Sequence, residues 1–276
     1  DAILEAGIRR VIIGSSDPNP LVAGKGIRIL KDHGIEVTEN ILKEECDKLN
    51  EAFFYYIQNK KPYVVMKYAM TMDGKIAAYT GESKWVTGEA ARIHVQKQRL
   101  KYTGIMVGVG TVLADDPMLT CRLENSRNPV RIICDSHLRT PLTSKIVRTA
   151  ATIPTILASS SKDRQKIKNY EELGCQVLYV PEKNGHIDLN RLMELLGAAK
   201  IDSILLEGGG SLNWSALESG IVQKVQTYIA PKLFGGEKAK TPIEGTGFPD
   251  PASAVLLKNS EITRLGDDLL IESEVK

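Results

Sequence analysis

The feature that most constrains this chain is a series of short runs rich in β-branched and aliphatic residues. They are Ile105–Val109, Val130–Cys134, Thr155–Ala158, Gln176–Val180 and Ser203–Leu206, each set off from the next by helical or loop sequence. Runs of this length and composition read as strands, and their alternation with helices specifies an α/β sheet. The run Tyr63–Ala69 adds a strand ahead of them, and a helix is expected from about Gly88 to Lys101. The end of the chain changes character. Lys224–Ile229 and Asp268–Glu274 read as adjacent strands with no helix of normal length between them, so the sheet should be mixed, with an antiparallel C-terminal portion.

Ahead of this sheet, residues 1–58 read as a separate unit. The chain opens inside an amphipathic pattern, Ile3-Leu4…Ile8, and continues as strand (Arg10–Gly14), loop (Ser15–Gly24), helix (Gly26–Gly34) and short strand (Ile35–Val37). A last helix follows, in which Leu42, Cys46, Leu49 and Phe53 recur at helical spacing. Asn59-Lys60-Lys61-Pro62 is polar and proline-stopped, a natural boundary before a second unit covering 63–276. A start in mid-element is expected of a fragment, and a unit that has lost its neighbours should expose strand edges.

Charge narrows the function classes. Lys and Arg number 36 against 34 Asp and Glu, a net +2, too balanced for a nucleic-acid or membrane-surface protein. Anion binding must therefore come from placed residues. The four cysteines, Cys46, Cys121, Cys134 and Cys175, form no CxxC and read as reduced thiols in a cytoplasmic protein. No apolar run approaches the ~20 residues of a membrane span.

Several local patterns carry chemistry. Glu207-Gly208-Gly209-Gly210-Ser211-Leu212 follows the strand Ser203–Leu206 and opens a helix. Glycines admit close approach of the backbone, and the free N–H groups of a helix start attract an anion. The bland reading is a tight turn with no ligand. Asp73-Gly74-Lys75 is a turn signal whose lysine is ordinarily a solvated charge. Gly81-Glu82-Ser83-Lys84-Trp85 places an aromatic and a hydroxyl ahead of a helix, either as core residue and cap or as a shelf for a flat ring. Ala114-Asp115-Asp116-Pro117, after the turn Gly108–Thr111, has no third carboxylate or histidine to make a metal site. Lys75, Arg99 and Arg122 are candidates to hold a phosphate. The histidines His33, His94, His137 and His186 are scattered, no H-x-E or PCxxC occurs, and the zinc-deaminase signature is absent.

The ordered set Ala69-Met70-Thr71-Met72-Asp73-Gly74-Lys75, Gly81–Thr87, Val107–Thr111, Ala114–Pro117, Leu119-Thr120, Arg122, Arg131–Ser136, Glu207-Gly208-Gly209 and Ala230–Gly236 resembles the bifunctional riboflavin-biosynthesis pyrimidine deaminase/reductases. The resemblance implies a dihydrofolate-reductase-like fold from Tyr63 to the end. It likens residues 10–58, with Asp17-Pro18-Asn19-Pro20 and Val22–Gly26, to the end of the family's deaminase domain. That domain's zinc ligands would lie upstream of Asp1, so deamination is not expected of this chain, and zinc would belong to the part upstream.

For the sites, the resemblance implies NADPH at Ala69, Trp85, Thr111, Asp115, Ser136 and the stretch Gly209, Gly210, Ser211, Leu212, Asn213, Trp214 and Ser215. It implies the phosphorylated aminopyrimidine substrate at Lys75, Ser83, Arg99, Leu119, Arg122 and Glu207, with Lys75 and Glu207 as the catalytic pair. It also implies association into a homo-oligomer through the reductase domain. The expected reaction is reduction of 5-amino-6-(5-phosphoribosylamino)uracil to its ribitylamino counterpart. Arg99 and Arg122 would hold the anionic end, and Ser159–Lys162 is one place for a cofactor 2′-phosphate. Two alternatives stand beside it: a pterin-type reductase of the same fold, and a non-catalytic scaffold.

Overall fold

The computed structural model describes residues 1–276. The chain opens with a short helix α1 (Ala2–Glu5), strand β1 (Arg10–Ile13), helix α2 (Lys25–Asp32) and strand β2 (Glu36–Glu39). β1 and β2 pair in parallel, Arg10 opposite Glu36, and make a two-stranded sheet of their own. Neither α1 nor α2 contributes a buried residue, and Ile12 points into solvent. Both strands are edges of that small sheet.

The single helix expected over Leu42–Phe53 is instead two, α3 (Lys43–Leu49) and α4 (Glu51–Asn59), broken at Asn50. Leu42 is left-handed (φ 53°) ahead of α3, and Leu49 is 83% exposed. The apolar spacing therefore does not mark one buried face. The break frees α4 to follow its own direction onto the large sheet. Its Ala52 and Tyr55 pack on the cluster of Tyr63, Val65, Tyr102 and Leu205, and Tyr56 donates to the Gly197 carbonyl at 3.0 Å. Glu51 at its start accepts from the Tyr63 hydroxyl (3.0 Å) and pairs with Lys101 (3.5 Å) and Lys224 (2.5 Å).

The rest of the chain builds one sheet. Its elements are β3 (Tyr63–Thr71), α5 (Glu89–Lys101), β4 (Gly104–Gly108), α6 (Val109–Asp115), β5 (Val130–Cys134), α7 (Lys145–Arg148), β6 (Thr155–Ser159), α8 (Arg164–Glu172) and β7 (Gln176–Tyr179). A small hairpin, β8 (Glu182–Lys183) and β9 (His186–Ile187), leads into α9 (Leu189–Ala198), β10 (Ser203–Leu206), α10 (Gly210–Glu218) and β11 (Lys224–Ala230). A single 3₁₀ turn, Pro251–Ser253, precedes β12 (Leu257–Leu265) and β13 (Asp268–Val275). The strand order is β12-β13-β11-β3-β10-β4-β5-β6-β7. Every pair from β11 to β7 is parallel, and β13 is antiparallel to both of its neighbours. The mixed sheet with an antiparallel end is thus the one the strand runs specify.

Alternation along the strands sends side chains to two cores. Val64, Met66, Met106, Ile132, Ile204 and Leu206 face α9 and α10; Ile105, Val107, Ile133 and Leu157 face α6, α7 and α8. The segment Gly108–Thr111 is not a turn: Gly108 ends β4, α6 starts at Val109, and Asp115 is that helix's last residue. None of the helices is long and apolar enough to cross a membrane.

Candidate active site

The carboxyl ends of the central parallel strands β3, β10 and β4 open into a cleft of about 320 Å³. Ligands of open α/β sheets are expected at this edge, where crossover helices leave the strand ends uncovered. Three charges sit side by side there. Glu207, directly after β10, receives two parallel hydrogen bonds from Arg99 of α5, Nε to Oε1 at 2.8 Å and Nη2 to Oε2 at 2.9 Å. Lys67 of β3 brings its ammonium to 3.8 Å from Glu207 Oε2. All three side chains are nearly enclosed, at 14% exposure for Lys67 and 15% and 11% for Arg99 and Glu207.

Enclosure sets their proton affinities. Burial works to raise the Glu207 pKa, but Arg99 and then Lys67 outweigh it and hold the carboxyl at about 2. Lys67 is displaced downward, chiefly by burial and with Arg99 adding repulsion, while Glu207 pulls the other way. The cleft therefore holds a fixed carboxylate and an ammonium that gives up its proton more readily than a surface lysine.

The loop beyond α6 is tied to the same helix. Arg99 Nη1 donates to the Thr120 carbonyl at 2.9 Å, and the Arg122 N–H donates to Gln96 Oε1 at 2.8 Å. Leu119 is buried in the core with a left-handed backbone (φ 52°) and is not among the residues lining the cleft. Arg99 is thus a brace between Glu207 and this loop, and it also lines the cleft. Arg122 lines the cleft beside it.

Lys75 is placed elsewhere. Its Nζ donates to the Ala239 carbonyl at 3.4 Å, outside the cleft lining, because the Asp73-Gly74 turn carries it toward the loop after β11. Asp73 clamps that loop by accepting from the N–H groups of Phe234 (3.1 Å) and Gly235 (2.6 Å). The Thr71 hydroxyl and these amides hold the Asp73 carboxyl at about 2. The Asp-Gly turn thus anchors the loop after β11, and the ammonium that lines the cleft is that of Lys67. Trp85 stands 56% exposed at the rim with Arg92 over its ring at 4.9 Å, and Ser83 lines the cleft beside it.

The cleft continues sideways as a trench. A second cavity of about 310 Å³ shares Ile76, Ser83, Thr111, Asp115 and Gly209 with it and adds Gly108, Gly110, Gly210, Ser211 and Leu212. A third, of about 290 Å³, shares Gly108, Gly110, Ser211 and Leu212 with the second and adds Ser136 and Ser215. Ala69, Trp85, Thr111, Asp115, Ser136, Gly209, Gly210, Ser211, Leu212 and Ser215 thus lie along one continuous trench. Two neighbours do not. Asn213 is fully buried and donates to the Pro242 carbonyl at 2.8 Å, and Trp214 packs against Phe248 in a separate apolar cavity.

The RibD C-terminal domain family matches residues 62–271. The riboflavin biosynthesis protein RibD of Actinobacillus pleuropneumoniae is 57% identical over 272 residues, 99% of this chain and 72% of that protein. The chain belongs to the RibD C-terminal domain family. A Methanothermobacter thermautotrophicus protein named 2,5-diamino-6-ribosylamino-4(3H)-pyrimidinone 5′-phosphate reductase is 38% identical over 220 residues, 78% of this chain and 99% of its own length. The structure of Acinetobacter baumannii RibD matches with a TM-score of 0.86 at 32% identity, over 100% of this chain and 75% of that one. Family membership makes this chain a riboflavin-pathway reductase.

The RibD trench fits a nicotinamide dinucleotide on its own geometry. Its floor carries glycines at 108, 110 and 209, and a Cβ at Gly110 would meet nothing within 4 Å, so the floor stays low. The first turn of α10 faces the middle cavity and supplies free N–H groups for a diphosphate. Gly210 has a different reason. A Cβ there would strike the Thr241 carbonyl and Glu244, the strap that crosses the helix start. Reading the sequence missed Lys67, although an ammonium inside the run Tyr63–Ala69 is a signal in itself, because a charge in a central strand needs a partner. Gln96, which positions Arg122 through the loop backbone, carried no such mark.

Proposed function

We propose that this chain reduces 5-amino-6-(5-phosphoribosylamino)uracil to 5-amino-6-(5-phosphoribitylamino)uracil with NADPH as reductant. The observation that carries the reading is the enclosed Lys67–Glu207–Arg99 cluster at one end of a glycine-floored trench. NADPH, when bound, supplies the hydride that C1′ of the substrate accepts.

The protein's own part is to open the sugar and hold it. The C1′–O4′ bond breaks, the exocyclic nitrogen lone pair forms a double bond to C1′, and O4′ takes a proton. Lys67 Nζ is the donor, because burial favours its neutral form while Glu207 keeps an ammonium populated. Glu207 stays ionised and accepts a hydrogen bond from a substrate hydroxyl. Arg122 binds the 5′-phosphate, and Arg99 fixes both Glu207 and the loop that carries Arg122. Trp85 and Ser83 cover the rim and exclude water.

The name of the M. thermautotrophicus relative favours a second reading, in which the pyrimidine still carries its 2-amino group. NADPH oxidation with each pyrimidine in parallel, beside dihydrofolate, separates them. Turnover of the uracil form is expected. Turnover of the diaminopyrimidinone alone would give the second reading, and of dihydrofolate alone a pterin reductase. We assign residues 1–58 to the end of the family's deaminase part, with α4 contributing to the reductase sheet.

A further inference from the structure

Lys67 is held more loosely than an enclosed charge requires. Its ammonium stops 3.8 Å from Glu207, too far for a hydrogen bond, and both Glu207 oxygens already accept from Arg99. Arg99 repels it, and Arg122 draws on the same carboxylate. Another group faces the ammonium from behind the cleft. Lys67 Nζ lies over the ring of Tyr228, 5.6 Å from its centroid. Tyr228 has no accessible surface and is not among the residues lining the cleft, so it does not touch a bound substrate.

Strand register brings the two together. In the parallel pair of β3 and β11, Lys67 stands opposite Gln226 and Tyr228 opposite Ala69, so the ring is two residues along on the same face. Helix α5 covers that face. His94 Nδ1 lies 2.8 Å from the Tyr228 hydroxyl, and Gln98, one turn on, brings its amide nitrogen to 3.3 Å from His94 Nε2. The far end of this network fixes its direction. The Glu272 carboxylate of β13 only accepts, so Gln226 presents its amide nitrogen to it at 2.8 Å. The same nitrogen donates to Gln98 Oε1 at 3.1 Å, which turns the Gln98 amide nitrogen toward His94. His94 Nε2 therefore accepts, and its Nδ1–H donates to the Tyr228 oxygen. Burial suits this neutral imidazole, lowering its pKa against the pull of Glu272. Burial, with Glu272 and Glu207, likewise keeps the proton on the Tyr228 phenol.

We propose that Tyr228 is a positioning residue for the reduction: the face of its ring holds the Lys67 ammonium at the strand ends, and His94 holds the ring. The negative face of an aromatic ring attracts a cation, and most strongly where water is excluded, as around Lys67 at 14% exposure. An aliphatic side chain could pack in the same place with Ala91 and Leu270, but it would offer the ammonium nothing and leave His94 without an acceptor. The ring and Glu207 thus favour the charged form of Lys67, while burial and Arg99 oppose it.

The proposal rests on the reading of Lys67 as the proton donor, and its first test needs no turnover. The full chain is labelled with carbon-13 at lysine Cε, the Lys67 signal is identified by its loss in Lys67→Met, and its titration midpoint is read by NMR. The variants are Tyr228→Phe and the same position carrying 3,5-difluoro- or 3,4,5-trifluorophenylalanine, which keep the shape of the ring and progressively cancel its negative face. The midpoint should fall stepwise along that series, by about half to one and a half pH units, a roughly 3- to 30-fold loss of proton affinity. The basic limb of kcat should move down with it, while KM for the pyrimidine and the NADPH dissociation constant stay within about twofold. A packing role alone would not order the variants by fluorine content. His94→Leu, which keeps the ring but frees it, should lower the midpoint by less than full fluorination; a larger drop would overturn the assignment to the ring. A midpoint indifferent to fluorination overturns the proposal and leaves the reading of Lys67 intact. A midpoint that falls while the limb of kcat stays in place overturns that reading, and the ring's part in the reaction with it.

Discussion

Replacing Glu207 by Gln removes one charge from an enclosed triad and keeps its shape. In the folded chain the carboxyl is held at about 2 against an ordinary value of 4.5. At about 1.4 kcal/mol for each tenfold change in proton affinity, that difference corresponds to about 3 kcal/mol of stability. Loss of one partner of a buried pair costs about 3–5 kcal/mol, so the two routes to the magnitude agree. The sign follows from the direction of the shift. A depressed carboxyl stabilises the fold fully above the unfolded value near 4.5 and loses that contribution as pH falls toward 2. Urea unfolding, followed by the fluorescence of buried Trp214, should place Glu207→Gln about 3 kcal/mol below wild type at pH 7. The gap should narrow steadily below pH 4.5. A difference under about 1 kcal/mol at pH 7, or a gap that ignores pH, would refute the argument that Arg99 and Lys67 hold this carboxyl ionised.

Three further outcomes follow from the same geometry. Lys67→Met should lower kcat about 10²–10⁴-fold with little change in the NADPH dissociation constant; an unchanged kcat would assign the proton to another group. Glu244 stands 3.4 Å from the Ser211 hydroxyl at the start of α10, where a diphosphate would lie, so Glu244→Gln should tighten NADPH binding by a few-fold, read by calorimetry, and weaker binding would show the carboxylate to be a required contact. Limited proteolysis should cut within Ser15–Gly24 and spare Glu51–Asn59, because α4 is packed and ion-paired on the large sheet; early cleavage inside α4 would contradict this.

The sheet was legible because its strands are short, β-branched and bounded, and Ser203–Leu206 and Val130–Cys134 fall where the pattern puts them. The reverse happened at Gly108-Val109-Gly110, where two glycines suggest a turn. The helix forms there because Val109 and Val112 bury themselves against the sheet, a tertiary gain that outweighs the local cost of glycine. Leu42, Leu49 and Phe53 show the converse, a helical spacing with no surface to cover on one side. At the cleft, Asp73-Gly74-Lys75 was legible while Lys67 was not, because a turn motif is visible locally and a cross-strand ion pair is not. Glu207 meets Lys67 and Arg99 only once β10 is inserted between β3 and β4.

The central claim is that hydride is delivered to C1′ of an opened ribosylaminopyrimidine at the Lys67 end of the trench. The direct measurement is turnover of 5-amino-6-(5-phosphoribosylamino)uracil with NADPH dideuterated at C4, followed by NMR of the product. The account predicts a single deuterium at C1′ of the ribityl chain. Product formed without deuterium, or with deuterium on the pyrimidine ring, would contradict it.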